Sequence, residues 1–167
     1  MSERYDIQQV CENGHQITGC YKGDKLADIL NGKKKPMEFC QKCGAATMVA
    51  CSSCDNEIQG DKLKDNYGTW DTIKRATVPS YCRNCGKPYP WTDNKIVTAI
   101  QMFAEFGNLD EEEKETIEQD INNIAKDIPQ SELSAMRIKR LWDKYSPIAR
   151  NLIMEFASKT AAEILKG

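Results

Sequence analysis

Nine side chains in this sequence can bind a soft metal ion: eight cysteines and one histidine. Six cysteines fall in CxxC pairs, Cys40/Cys43, Cys51/Cys54 and Cys82/Cys85. The histidine completes a CxxxH segment, Cys11-Glu-Asn-Gly-His15, and Cys20 stands alone. Two thiolates at CxxC spacing occupy adjacent corners of one tetrahedron. Two such pairs make the four-coordinate site that zinc takes in structural roles. Two sites need eight donors, so one of the nine is left over. We read Cys11, His15, Cys40 and Cys43 as one site and Cys51, Cys54, Cys82 and Cys85 as the second. Two structural Zn²⁺ ions per chain follow, with Cys20 outside both.

The residue types leave alternatives open. Cys20 could stand in for His15. Cys40/Cys43 could share a site with Cys51/Cys54, leaving CENGH to Cys82/Cys85, and a cross-braced pairing also satisfies the count. Sequential pairing is preferred because crossed hairpins cost extra loop closure. Turn chemistry supports the knuckles themselves. Gly44 and Gly86 follow their CxxC pairs and permit a positive-φ turn that aims amides at the sulfurs. Asp55-Asn56 takes that place after Cys54, and Asn13-Gly14 takes it inside CENGH.

Composition narrows the function classes. The opening MSERYDIQQV lacks a basic segment followed by an apolar run, so no signal peptide is expected. No apolar run is long enough to span a bilayer. A soluble cytoplasmic protein with no membrane partner is expected, where paired cysteines read as metal ligands before disulfides. Formal charge is −2, with 13 basic and 11 acidic residues in positions 1–92. Residues 93–167 are net negative as they stand, and filled thiolate sites make 1–92 net negative too, because metal ligands are deprotonated. Neither half is a basic nucleic-acid grip as a whole. No HExxH, P-loop, GxSxG or GxGxxG pattern occurs. With the one histidine assigned to metal and four protein donors at each site, no catalytic residue is named and no enzyme is expected.

The elements that position these ligands change character after Trp91. Before it, short strand-like pieces such as Asp6 to Val10 and Thr47 to Ala50 sit among polar turns. Few large aliphatic residues are present there, so zinc must supply much of the folding free energy. After it, helical periodicity takes over. Thr92 or Asp93 caps a helix from about Lys95 to Phe106, with Ile96, Ile100, Phe103 and Ala104 inward and Gly107-Asn108 stopping it. Asp110 caps a second, whose stripe is Ile117, Ile121 and Ile124. A third runs from Ser131 to about Tyr145. Ser146-Pro147 opens a fourth that continues to Leu165. The expected architecture is two tandem rubredoxin-like zinc ribbons, residues 1–50 and 51–92, followed by an all-α four-helix domain, 93–167.

The segments YDIQQVCENGH, FCQKCGAATMVACSSC and YCRNCGKPYPW carry a resemblance. They are similar to a bacterial family of unknown function whose members begin YD…C…GH, continue FCxxCGxxT…CxxC, and close YCxxCGxPYPW before a helical tail. That resemblance implies tandem zinc ribbons and His15 in the first site. It implies no activity.

The function expected is a non-enzymatic zinc-binding interaction module, a protein–protein adaptor. Its partner or self-association surface would be an uncovered strip on the last helix around Ile153 and Phe156, the alternative being that the four helices cover that face as the core of a self-contained bundle. Nucleic-acid binding is the alternative, and a zinc enzyme a distant third. Lys33-Lys34-Lys35, and Arg137, Arg140 and Lys144, read as solvated charge before phosphate contacts. Tyr67, Trp70 and Tyr81 read as cover for a thin ribbon core before base-stacking platforms. Cys20 reads as a small buried residue before a redox thiol.

Overall fold

The computed structural model describes residues 2–23, 26, 37–106, 109–142 and 146–167, the side chain of Phe106 excepted. Lys33-Lys34-Lys35, Gly107-Asn108 and Lys144 lie outside the described residues. The chain forms two compact units, Met1–Thr92 and Asp93–Gly167. The first is built of small antiparallel sheets and the second of helices.

Among the described residues, six strands make two three-stranded sheets in the N-terminal unit. They are β1 (Glu3–Ile7), β2 (Gln9–Cys11), β3 (Gln16–Thr18), β4 (Thr47–Met48), β5 (Gln59–Asn66) and β6 (Thr69–Lys74). One sheet has the order β1-β5-β6 and the other β3-β2-β4. The first strand therefore pairs with a strand that follows the third CxxC ligand pair's predecessor, Cys51/Cys54, rather than with its sequence neighbour. The long β5–β6 hairpin is not read from the sequence. Its two-residue turn places both Tyr67 (φ 52°) and Gly68 (φ 92°) at positive φ, the geometry that suits the twist of a tight hairpin. Tyr67 is 95% exposed at that turn, and Trp70 lies in the exposed strand β6 with the Arg4 guanidinium 4.0 Å above its ring. Neither covers a ribbon core. Tyr81 is half-buried.

The core of this unit is Val10, Cys51, Ile58, Cys82, Tyr89 and Trp91. Two of those six are cysteines of the second group, so apolar packing and ligand placement share one volume. Polar groups buried beside it are satisfied. Gln8 donates to the carbonyls of Gln59 (2.8 Å) and Thr77 (3.1 Å) and accepts from Gln16. Asp6 accepts from the amides of Ile7, Lys22 and Gly23.

Among the described residues, five helices follow: α1 (Pro90–Phe106), α2 (Glu111–Lys126), α3 (Ser131–Arg140), α4 (Pro147–Phe156) and α5 (Lys159–Lys166). Helix α1 starts at Pro90, earlier than Thr92 or Asp93 suggests, because a proline at the first position costs no hydrogen bond. Asp110 caps α2 in a reciprocal capping box with Glu113. The expected single last helix is two. Ala157 turns extended (ψ 140°), and the Ser158 side chain accepts from the Ala161 amide to start α5. The apolar face runs across this break, which is why periodicity alone reads it as continuous.

Ile96, Ala99, Phe103, Ile117, Ile121, Ile124, Ile138, Ile153 and Leu165 belong to the helical core. Ile153 is fully buried and Phe156 packs half-buried against that core, so they do not form an exposed strip.

Candidate metal centres

All four donors expected at the first site come together. The ligand atoms of Cys11, His15, Cys40 and Cys43 lie within 4.8 Å of one another, and so do those of Cys51, Cys54, Cys82 and Cys85. In the first group, His15 Nδ1 is 3.5 Å from Cys11 Sγ, 3.3 Å from Cys43 Sγ and 3.7 Å from Cys40 Sγ, with Cys11 and Cys43 sulfurs 3.7 Å apart. In the second, Cys51–Cys85 and Cys54–Cys82 sulfur pairs are 3.8 and 3.6 Å apart. Each group thus holds two consecutive knuckles.

Local hydrogen bonding builds each knuckle the same way. In the three CxxC segments the first cysteine's carbonyl accepts from the residue four positions on: Gly44 (2.7 Å), Asp55 (2.9 Å) and Gly86 (2.9 Å). Its amide donates to the carbonyl five positions on, at Ala45, Asn56 and Lys87. Isolated bridges Phe39–Ala46, Ala50–Glu57 and Tyr81–Pro88 close each turn. The residue four on has positive φ in all three, 73°, 56° and 71°. CENGH does the same one residue shorter: Gly14 (φ 81°) donates to the Cys11 carbonyl at 2.8 Å.

Further donors face the sulfurs. The His15 amide is 3.3 Å from Cys11 Sγ, Asn13 Nδ2 3.5 Å from Cys43 Sγ, and the Asn84 amide 3.4 Å from Cys82 Sγ. The Ala45 amide, then Asn13, pulls the Cys43 thiol down to about 6. The amides of Cys85 and Asn84 pull Cys82 down to about 6. The Lys87 amide favours the Cys85 thiolate, but burial and the sulfurs of Cys54 and Cys82 outweigh it and hold that thiol at about 11. Donors that stabilise thiolate are what a cationic ligand site requires.

Cys20 lies elsewhere, 3.6 Å from Asp61 Oδ2 and 3.7 Å from Thr72 Oγ1. Burial raises its thiol above the ordinary range and the carboxylates of Asp61 and Asp6 add to this, against a lowering contact with Thr72. A thiol held protonated is neither a ready nucleophile nor a ready ligand.

A small antiparallel sheet unit with two four-donor sulfur and nitrogen clusters, continued by several helices, defines a class of metal-binding-competent protein. The chain belongs to a family described as an uncharacterized protein conserved in bacteria (DUF2321), whose model matches residues 4–166. Searches of curated proteins and of solved structures found no match. Among the described residues, no helix is long and apolar enough to cross a membrane.

Proposed function

We propose that each cluster holds one Zn²⁺ as a structural ion, that the N-terminal unit is a rubredoxin-like pair of zinc ribbons, and that the protein binds a ligand rather than catalysing a reaction. One observation carries the zinc reading. A tetrahedron with Zn–S of about 2.3 Å has edges of about 3.8 Å, and a nitrogen corner shortens them to about 3.5 Å. The sulfur–sulfur separations of 3.6–3.8 Å and nitrogen–sulfur separations of 3.3–3.7 Å match those edges. The donor set, seven thiolates and one imidazole, is soft and borderline, which suits zinc over calcium or magnesium.

Four protein donors fill each tetrahedron, so neither ion keeps a position for substrate or water. The zinc would then supply folding free energy, on the order of 10 kcal/mol or more per site. A reducing, cytoplasmic compartment fits eight cysteines kept as thiols. The adaptor reading placed its surface at Ile153 and Phe156, which pack into the helical core. The binding face must be sought elsewhere.

Zinc analysis of the full chain, purified without added metal, is expected to give two ions per chain. X-ray absorption should show a mixed shell close to seven sulfurs per nitrogen. One ion or fewer in a freshly purified sample, or an oxygen-dominated shell, overturns the reading.

A further inference from the structure

A cleft of about 390 Å³ opens in the N-terminal unit, a size that suits a small-molecule ligand. Strand pairing builds one wall: Tyr5, Lys62 and Lys74 lie side by side across β1, β5 and β6. The segment leading into the last knuckle adds Arg75 and Tyr81, and the knuckle itself adds Arg83. Four cations therefore line the cleft against one carboxylate, Glu57.

Two of the four cations, Lys74 and Arg83, have no acidic partner among the described residues. Lys62 is paired with Glu3, and Glu57 with Lys22. Arg83 donates to a neutral partner, Gln59 Oε1, at 2.7 Å. Arg75 reaches Asp61 only at 3.7 Å and its side chain is 87% exposed. Lys74 has no ion pair among the described residues. In a chain of formal charge −2, this is a local positive excess. Tyr5, 54% exposed, adds an accessible aromatic ring. Gln8, which also lines the cleft, already spends both of its side-chain N–H groups on the carbonyls of Gln59 and Thr77.

We infer that this cleft binds a nucleotide, with the phosphate against Lys74, Arg75 and Arg83 and the base against Tyr5. Guanidinium forks match phosphate oxygens, and aromatic rings beside cations are how proteins hold bases without reading sequence. The ligand can be a free mononucleotide or a unit of a single strand; the chemistry is shared. The inference rests on the ligand-binding reading proposed above; the zinc reading touches it only through Arg83, which lies between Cys82 and Cys85.

The test measures binding of AMP, UMP, inorganic phosphate and labelled 12-residue single-stranded RNA and DNA to the full chain, with zinc content determined on each preparation. Nucleotide binding is expected to weaken at least tenfold in Lys74→Glu and to weaken in Tyr5→Ala with an unchanged salt slope. Lys126→Glu, the same charge change on α2, should bind like wild type. A mononucleotide bound as tightly as the 12-mers identifies a free nucleotide, and much tighter 12-mer binding identifies a strand; either supports the inference. A chain with two zinc ions that binds no probe at millimolar concentration overturns it and spares the zinc reading. Equal losses in Lys74→Glu and Lys126→Glu also overturn it. A zinc-free chain that binds with the expected variant pattern keeps the cleft and overturns the zinc reading.

Discussion

Gly14 lies directly against Trp91: a methyl group on Gly14 would come 3.0 Å from the Trp91 Cβ and 3.1 Å from its Cγ. Trp91 is itself fixed, its ring stacked on Tyr89 at 4.7 Å and its indole N–H donated to the Pro79 carbonyl at 2.8 Å. The CENGH turn of the first cluster thus abuts the closing PYPW segment of the second. Gly14→Ala adds strain at φ 81° to a contact that cannot easily yield. It is expected to cost about 1–3 kcal/mol and to loosen zinc at the first cluster. Urea unfolding followed by tryptophan fluorescence measures the first, and chelator competition the second. An unchanged midpoint would show that the turn relaxes freely.

Cys20 and His15 are separable by substitution. Cys20→Ser should retain two zinc ions per chain, because its sulfur contacts Asp61 and Thr72 and neither cluster. His15→Ala should lose one ion only. If Cys20→Ser empties a site while His15→Ala does not, the ligand assignment is inverted.

The knuckles were legible in the sequence for a local reason. CxxC spacing followed by Gly44 or Gly86 encodes a turn within eight residues, and Asp55 tolerates the same backbone. Strand β5 was not legible. Its sequence QGDKLKDN is poor in β-branched and aromatic residues, and its buried Asp61 is held by the Ala76 amide rather than by apolar contact. The cleft was invisible for a related reason: Tyr5, Lys62 and Lys74 become neighbours only through sheet register. In the helical unit, the stripe Ile117, Ile121 and Ile124 is buried as periodicity implies. The break before Ser158 was missed because apolar spacing does not register a serine cap.

Helices α2 and α3 are clasped by a buried carboxylate. Asp120 Oδ1 accepts from Ser134 Oγ at 2.7 Å and from Arg137 Nη1 at 3.3 Å, while Oδ2 has no hydrogen-bond partner among the described residues. Ser134→Ala removes the shorter bond from an acceptor already half satisfied. A loss of about 1–3 kcal/mol is expected. Thermal unfolding read by circular dichroism at 222 nm checks it, and a wild-type melting curve would show that Arg137 compensates.

Ile153 marks the centre of the helical core, with none of its surface exposed. Ile153→Ala should destabilise by about 2–5 kcal/mol through the cavity left behind. Light scattering on this variant and on wild type, at equal concentration, should give the same oligomeric state. A change of state without loss of stability would identify an interface instead.

The pairing of β1 with β5 sets a timetable for synthesis on the ribosome. All four donors of the first cluster exist once residue 43 is made, whereas Glu3–Ile7 waits for Gln59–Asn66 and the second cluster waits for Cys85. On the zinc reading, the first ion would therefore be captured by a nascent chain whose opening strand is still unpartnered, and the second by a chain whose sheets are already complete. Ribosome-arrested chains long enough for Cys43, but not yet Asn66, to have left the exit tunnel should carry one zinc, accessible to chelators. Those arrested after Cys85 has emerged as well should carry two, with the first now protected. Equal chelator access in both would mean that the sheet closes without shielding the metal.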